Sequence, residues 1–287
     1  MKKLTASQVI INLIIAVFAL ACILPLFLVV INSFASERSI TLHGYSFLPS
    51  EWSTMAYRMM FGPKNLLLNS YAITIQVTVL GTAVATFITY CAGFSLANKN
   101  LKYRNGLALY FFITMVFNAG LVPWYLVSKG IGAYNNIWAL IVPSLMFSPF
   151  NLFLMRNFIK GIPDSLHESG RIDGASDVRI AFQIYFPLCL PVIATVTLFY
   201  ALGYWNNYFN ALMLVDSDKL YPLQMLLFKI QSEISKVSAM AQGVTTNPPS
   251  ESFKMATAVM TMGPIILLYP FLQRYFIKGM VVGAVKG

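Results

Sequence analysis

The chain has 287 residues, 57% hydrophobic and only 10% charged, with a mean hydropathy of +0.68. Soluble domains carry about 45–50% apolar and about 25% charged residues, so the composition excludes a soluble enzyme and describes one membrane domain. The net charge of +10 is dispersed among loops and gathers on no single surface, which excludes nucleic acid as a partner.

A spanning helix needs about 20 mostly apolar residues. Six segments qualify in chain order: 9–32, 70–97, 106–127, 136–155, 187–209 and 255–272. Lys2 and Lys3 precede the first, but its apolar run continues far past the 7–15 residues of a signal core. It is therefore expected as a retained span. Every Lys, Arg, Asp and Glu lies outside the six segments, as the cost of charge in a bilayer demands. Pro25, Pro123, Pro143, Pro149, Pro191 and Pro264 interrupt several of them. Taken singly, each is what membrane helices ordinarily tolerate.

Basic residues give the orientation. Lys2, Lys3, Lys99, Lys102, Arg104, Arg156, Lys160, Arg171, Arg179, Arg274, Lys278 and Lys286 fall in 1–8, 98–105, 156–186 and 273–287. The remaining eight lie mostly in the long loops 33–69 and 210–254 or in 128–135. Both termini are thus expected in the cytoplasm, as an even span number requires. Trp52, Trp124, Trp138 and Trp205 then sit towards the outer interface, as aromatic anchors do. The apolar stretch 221–230 is too short to span and is expected as an interfacial helix.

Several chemistries have no residues to carry them. Cys22, Cys91 and Cys189 lie in or beside apolar runs, which speaks against a disulfide framework. His43 and His167 have no neighbouring ligand at zinc spacing, so no metal site is expected. The sequence lacks any Gly-Lys dipeptide, hence any phosphate-cradling loop of that kind, and no catalytic motif appears. If ATP drives this protein, another chain binds it. No ionisable side chain sits within a span, which argues against ion-coupled secondary transport.

The longest cytoplasmic segment, 156–186, has helical design. Pro163 and Asp164 suit a helix N-terminus, and Leu166 and Ile172 mark an apolar side. Gly174 permits an elbow. Ser176 can cap a second helix with Ile180, Phe182 and Ile184 on its apolar side. Two short helices around a glycine make a knob suited to pushing on a soluble partner.

Glu168, Gly174, Ile184 and Pro187 match the E-A-A-x-x-x-G-x(9)-I-x-L-P loop of ATP-binding-cassette importer permeases. The run ESGRIDGASDVRIAFQIYFPLCLP resembles the sugar branch, departing at Ser169, Gly170 and Phe186. The tail YPFLQRYFIKGMVVGAVKG is similar to that of maltose-importer-type permeases, and the finer resemblance is to alginate-type and other polysaccharide-fragment importers. The resemblance implies an all-α, six-helix type I permease fold in a bacterial cytoplasmic membrane. It implies a second related permease, two ATPase subunits holding ATP and Mg, and an extracytoplasmic sugar-binding protein. Residues Glu168, Ser169, Gly170, Arg171, Asp173, Gly174 and Ala175, backed by Ile184 and Pro187, would then couple to the ATPase through the 163–187 loop. Glu168 and Asp173 would meet basic residues there, and Arg171 and Arg179 acidic ones. Gly279, Gly283, Lys286 and Gly287 would lie against the ATPase dimer.

At the outer end of the fifth span, Tyr204, Trp205, Asn206, Asn207, Tyr208 and Asn210 combine ring faces with amides. Sugars need both, so these six are candidates for the sugar path. Threonines 74, 78, 82, 86 and 89 in the second span are expected mainly to pack helices. The loops 37–64 and 210–254, with Asp216 and Asp218, offer outer docking surfaces.

Overall fold

Apolar runs punctuated by Ser, Asn, Gly and Pro fold into helices of very unequal length. The computed structural model describes residues 6–61, 66–143, 145–240, 251–264 and 266. Among these there is no strand beyond an isolated bridge between Ala35 and Trp52. The helices are α1 (Ala6–Ser33), α2 (Glu37–His43), α3 (Met55–Met60), α4 (Leu66–Ala97), α5 (Arg104–Val116), α6 (Leu121–Gly130) and α7 (Trp138–Ile141). They continue as α8 (Pro149–Lys160), α9 (Ser165–Ile172), α10 (Asp177–Arg179), α11 (Phe186–Leu188), α12 (Leu190–Trp205), α13 (Phe209–Leu214) and α14 (Leu223–Met240). A further helix covers 251–264. The chain divides into two compact units, Met1–Leu67 with Leu227–Ile266, and Leu68–Leu226 with Leu267–Gly287.

In the first unit, α1 is apolar on every side and exposed on every side, the pattern of a helix in lipid. It stops where Asn32 turns the chain: its Nδ2 donates to the carbonyls of Leu28 (2.8 Å) and Ser46 (3.0 Å). Ser36 then caps α2, accepting from the Ser39 amide at 3.0 Å, a contact worth about 1 kcal/mol. The hydroxyls of Ser33 and Tyr57 meet at 2.8 Å and anchor α3. Glu37 accepts from the amides of Glu251 and Ser252, each at 3.1 Å. Its carboxylate thereby caps the positive end of the 251–264 helix.

The second unit is built on α4. In lipid there is little hydrophobic drive between helices, so close approach and hydrogen bonds must join them. Gly81 and Gly93 supply the approach: a Cβ on either would lie 2.5 Å from the Tyr204 ring or 2.7 Å from Met155 Cγ. The hydroxyls of Thr89 and Tyr200 meet at 2.7 Å, and Tyr200 also accepts from the Ser148 amide at 2.9 Å. Tyr204 donates to the Ile141 carbonyl at 3.0 Å, and Tyr90 donates to that of Ala181. Such bonds contribute about 0.6–2 kcal/mol each. Thr74 accepts from the Leu223 amide (2.8 Å), so threonine does join segments here, whereas the Thr78 and Thr82 hydroxyls have no partner.

The expected spans are realised unequally. Those at 9–32 and 70–97 are continuous helices, in α1 and α4. The third, 106–127, is broken: α5 and α6 diverge by 118°. Asn118 accepts from the Gly120 amide (2.9 Å), Gly120 takes φ +89°, and Pro123 follows. The fourth, 136–155, contains only the four residues of α7 before the chain leaves the helix and restarts at Ser148-Pro149. The fifth is bent by 83° at Cys189, between Pro187 and Pro191. For the sixth, 255–272, the described part is helical to residue 264. The segment 221–230 enters α14, where Leu223, Met225, Leu226 and Leu227 are buried and Phe228 is exposed.

Candidate functional site

The 163–187 loop folds as the knob its sequence predicts, with one difference in its second arm. Helix α9 carries Glu168, Ser169, Gly170 and Arg171, and Asp173 follows it. Gly174 turns the chain at φ +76°, with open space where a Cβ would stand. Ser176 caps α10, accepting from the Arg179 amide at 3.3 Å. The second arm then widens into a π-helix over Ile180–Tyr185 instead of continuing as α-helix, a form common at functional sites.

Packing inside the knob explains its small residues. Gly170 is buried, and a Cβ there would lie 3.1 Å from atoms of both Ile180 and Ile184. Ile180 is fully buried, so the two arms close on each other over Gly170. Ala175 is half-buried, and its amide returns to the Gly170 carbonyl at 2.9 Å. Pro187 lies in α11, which continues directly from the π-helix.

The charges divide into two sets. Arg171 Nη2 donates to both carboxylate oxygens of Asp177, at 2.7 and 2.8 Å, and Arg179 Nε donates to Gln183 at 2.8 Å. Both arginines thus have a partner within the knob while remaining exposed at its surface. Half exposed, the Arg171–Asp177 pair positions the arms and adds at most about 1 kcal/mol. Glu168 and Asp173 are exposed and make no ion pair among the described residues. With them on the surface stand two large apolar side chains, Ile172 (86% exposed) and Val178 (68%). The tip of the knob thus presents two apolar side chains beside two carboxylates that make no ion pair among the described residues.

Beside the knob lies a polar cleft of about 400 Å³, lined by Lys99, Arg104, Lys160, Asp164, His167 and Glu168 among others. Lys99 pairs with Asp164. In the sequence these basic residues act only as orientation signals; nothing in their spacing announces that three helix ends bring them together.

The six sugar-path candidates separate by burial. Tyr204, Trp205 and Asn210 are buried. Tyr204 is committed to Ile141, and Asn210 Nδ2 donates to the Pro143 carbonyl at 2.8 Å. Tyr204 and Asn210 thus tie the fifth segment to the broken fourth. Asn207 is half-buried and accepts from the Asn210 amide at 3.0 Å. Asn206 and Tyr208 are exposed, and Asn206 Oδ1 accepts from Gln224 at 3.3 Å. Of the tryptophans, Trp52 and Trp138 are exposed as anchors would be, and Trp205 is core. Asp216 in the 210–254 loop accepts from the Tyr134 hydroxyl at 2.8 Å. Gly279, Gly283, Lys286 and Gly287 lie outside the described residues. Among the described residues, no three His, Cys, Asp or Glu side chains converge as metal ligands.

The family described as binding-protein-dependent transport system inner membrane component matches residues 5–282. The polygalacturonan/rhamnogalacturonan transport system permease protein YtcP of Bacillus subtilis (strain 168) is 38% identical over 277 residues, covering 94% of each chain. Protein LplC of the same organism is 38% identical over 267 residues, 92% of this chain and 90% of the relative. Among solved structures, a bacterial ABC transporter involved in the import of the acidic polysaccharide alginate contains a chain superposing with a TM-score of 0.78. That chain is 30% identical, and the match covers 96% of this chain and all of the other.

Proposed function

Since this chain belongs to the family of binding-protein-dependent transport system inner membrane components, we propose that it is the permease subunit of an importer for oligosaccharides, in particular fragments of acidic polysaccharide. Membership makes it a membrane permease with the all-helical type I fold. The cargo reading rests on two similarities: to a polygalacturonan/rhamnogalacturonan permease and to an importer of alginate.

In this reading the knob is the drive element. The single observation that carries it is the exposed set Glu168, Ile172, Asp173 and Val178 around the Gly174 elbow. An ATPase groove lined with basic side chains at its rim and apolar ones at its floor would complement it. The buried seam of Gly170, Ile180 and Ile184 makes the two arms one rigid body, so a push on the tip reaches α11 and α12 through the π-helix. Closure of two ATPase subunits would then switch the spans between inward- and outward-open states by rigid-body motion. ATP and Mg would be held entirely by those subunits. A second related permease would complete the path, and a binding protein would deliver the sugar to outer loops such as 37–64 and 210–254. Asn206, Asn207 and Tyr208 are the residues of this chain placed to meet it.

The test is copurification from the native host in mild detergent, followed by ATPase assay of the recovered assembly. The reading expects a nucleotide-binding ATPase and a second permease, with hydrolysis raised by binding protein loaded with oligogalacturonate or oligoalginate. Recovery of this chain alone and monodisperse would sink the coupling assignment. Stimulation by neutral oligosaccharides only would sink the acidic-cargo assignment and leave the coupling intact.

A further inference from the structure

Two features on one face of the second unit play no part in the transport reading. The first is the basic part of the polar cleft at the ends of α4, α5 and α8, where Arg104 and Lys160 line one space. Arg156 stands beside them, its Nε donating to the Leu96 carbonyl at 3.2 Å. Burial first, then the guanidinium groups of Arg156 and Arg104, push the Lys160 ammonium below its ordinary value. Two carboxylates also line the cleft: Asp164, which pairs with Lys99, and Glu168. With Arg156 beside Lys99, Arg104 and Lys160, the cationic side chains outnumber these carboxylates, and the net positive charge suits an anion.

The second feature is an apolar groove of about 320 Å³ between α5 and α8, lined by Phe112, Met115, Phe150, Phe153, Leu154 and Asn157. Arg104 begins α5 and Lys160 ends α8, and they share the cleft. Phe112 and Phe153 lie inward from those ends and share the groove, so the two helices run antiparallel. Phe112 is eight residues beyond Arg104, about 12 Å along a helix at 1.5 Å per residue. The lane therefore runs from a cationic mouth into an apolar trough. No residue of α5 is buried by the rest of the chain.

We propose that the α5–α8 face binds one anionic phospholipid, its phosphate held by Arg104, Lys160 and Arg156 and an acyl chain lying in the groove. Charge complementarity selects this occupant. Basic pockets at the cytoplasmic ends of membrane helices suit anionic headgroups, and a groove with one polar lining residue, Asn157, suits a hydrocarbon chain. A helix of a partner permease would fill the trough but leave the three cations unpaired unless it also brought carboxylates. The proposal rests on the membrane reading of the chain and on nothing about its cargo. The site adjoins Glu168, so an occupied headgroup would stiffen the base of the knob.

The experiment is native mass spectrometry of the full chain, purified in mild detergent, titrated with phosphatidylglycerol or phosphatidylcholine. Wild type is expected to retain one phosphatidylglycerol in preference to phosphatidylcholine. Arg104→Gln with Lys160→Gln weakens retention on the order of twentyfold, from the loss of two surface-lipid charge contacts. Lys102→Gln, which removes an exposed charge outside the cleft, leaves it unchanged. Met115→Trp, which fills the groove from an exposed position and keeps every charge, also lowers it. Equal retention of the two lipids overturns the site, as does an undiminished adduct in the double variant. A loss from Lys102→Gln as large as from the pair shows a diffuse field in its place. Displacement by inorganic phosphate shows a free-anion site, and exclusion of lipid by a copurifying second permease shows that a protein covers the face; either overturns the proposal.

Discussion

Gly174 sits at φ +76° with nothing within 4 Å of a Cβ built on it. A left-handed backbone costs a non-glycine residue about 1–2 kcal/mol, and among the described residues nothing crowds a Cβ there. Those two facts separate folding from coupling. Gly174→Ala is expected to insert normally and keep most transport-coupled ATP hydrolysis, since it incurs local strain alone. Gly174→Trp is expected to insert normally and abolish coupled hydrolysis, because in the proposed coupling a partner's groove would occupy that space. Measured side by side in proteoliposomes, normal pumping by the tryptophan variant would remove Gly174 from the interface. Gly170 is the opposite case. Its Cβ space is occupied by Ile180 and Ile184 of the same chain, so a larger residue there would disturb the knob's own packing.

Elements are joined here by a few polar and close-packed contacts, and each can be loaded. A Cβ at Gly81 would lie 2.5 Å from Tyr204 Cζ. Gly81→Ala must displace the ring and with it the bond to Ile141, so it is expected to cost about 1–3 kcal/mol. Thermal unfolding in detergent checks this, and the cost should be less than additive with Tyr204→Ala. A second joint answers to pH. Glu251 is held below its ordinary value of 4.5 by Lys254 and then by Tyr45, whose own phenol is pushed up to about 12 by that bond. A carboxyl so lowered binds fewer protons folded than unfolded. Its stabilisation is complete above about 4.5 and is lost as pH falls through the lowered value. Glu37 is a second carboxylate on the same helix end. Amide exchange over 251–256, corrected for intrinsic rate, should therefore rise between pH 6 and pH 3.5 in wild type. It should not rise in Glu37→Gln/Glu251→Gln, and an equal rise in both would refute the assignment. Legibility at this scale has a physical limit. The continuous helices α1 and α4 were readable because hydropathy averages over a window and nothing interrupts them. The prolines at 123, 143 and 149 were visible too, but the turn at Asn118 and Gly120 was not, since hydropathy carries no direction. In the knob, the Ser176 cap and Gly174 elbow are local and were readable. The Arg171–Asp177 pair exists only once the elbow has closed. The burial of Tyr204 and Asn210 depends on Gly81 and Pro143, more than sixty residues away.

For the molecule as a whole, the distribution of charge makes a claim that the helices alone do not. Twelve of the 20 Lys and Arg residues fall in four short segments expected on one side of the membrane, and the others fall mostly in long loops. Long loops cross with little regard to charge, so the short segments decide, and they place 98–105 and 156–186 together. The cleft supports that grouping independently. Lys99 and Arg104 from the first segment share it with Lys160 and Asp164 from the second, which could not happen across a bilayer. Orientation follows by labelling. In a chain lacking Cys22, Cys91 and Cys189, Lys219→Cys replaces an exposed residue of the 210–254 loop and Asp173→Cys an exposed residue of the knob. A membrane-impermeant maleimide added to spheroplasts should label the first at once and the second only after permeabilisation. Substituting Cys189 by Ala suits its buried position, so loss of fold is not a ready explanation for missing label. The reverse pattern would put the knob outside, where no ATPase could reach it, and the coupling reading would fall with the topology. Labelling of both positions in sealed cells would mean that the breaks in the third and fifth segments turn the chain back to the side it came from.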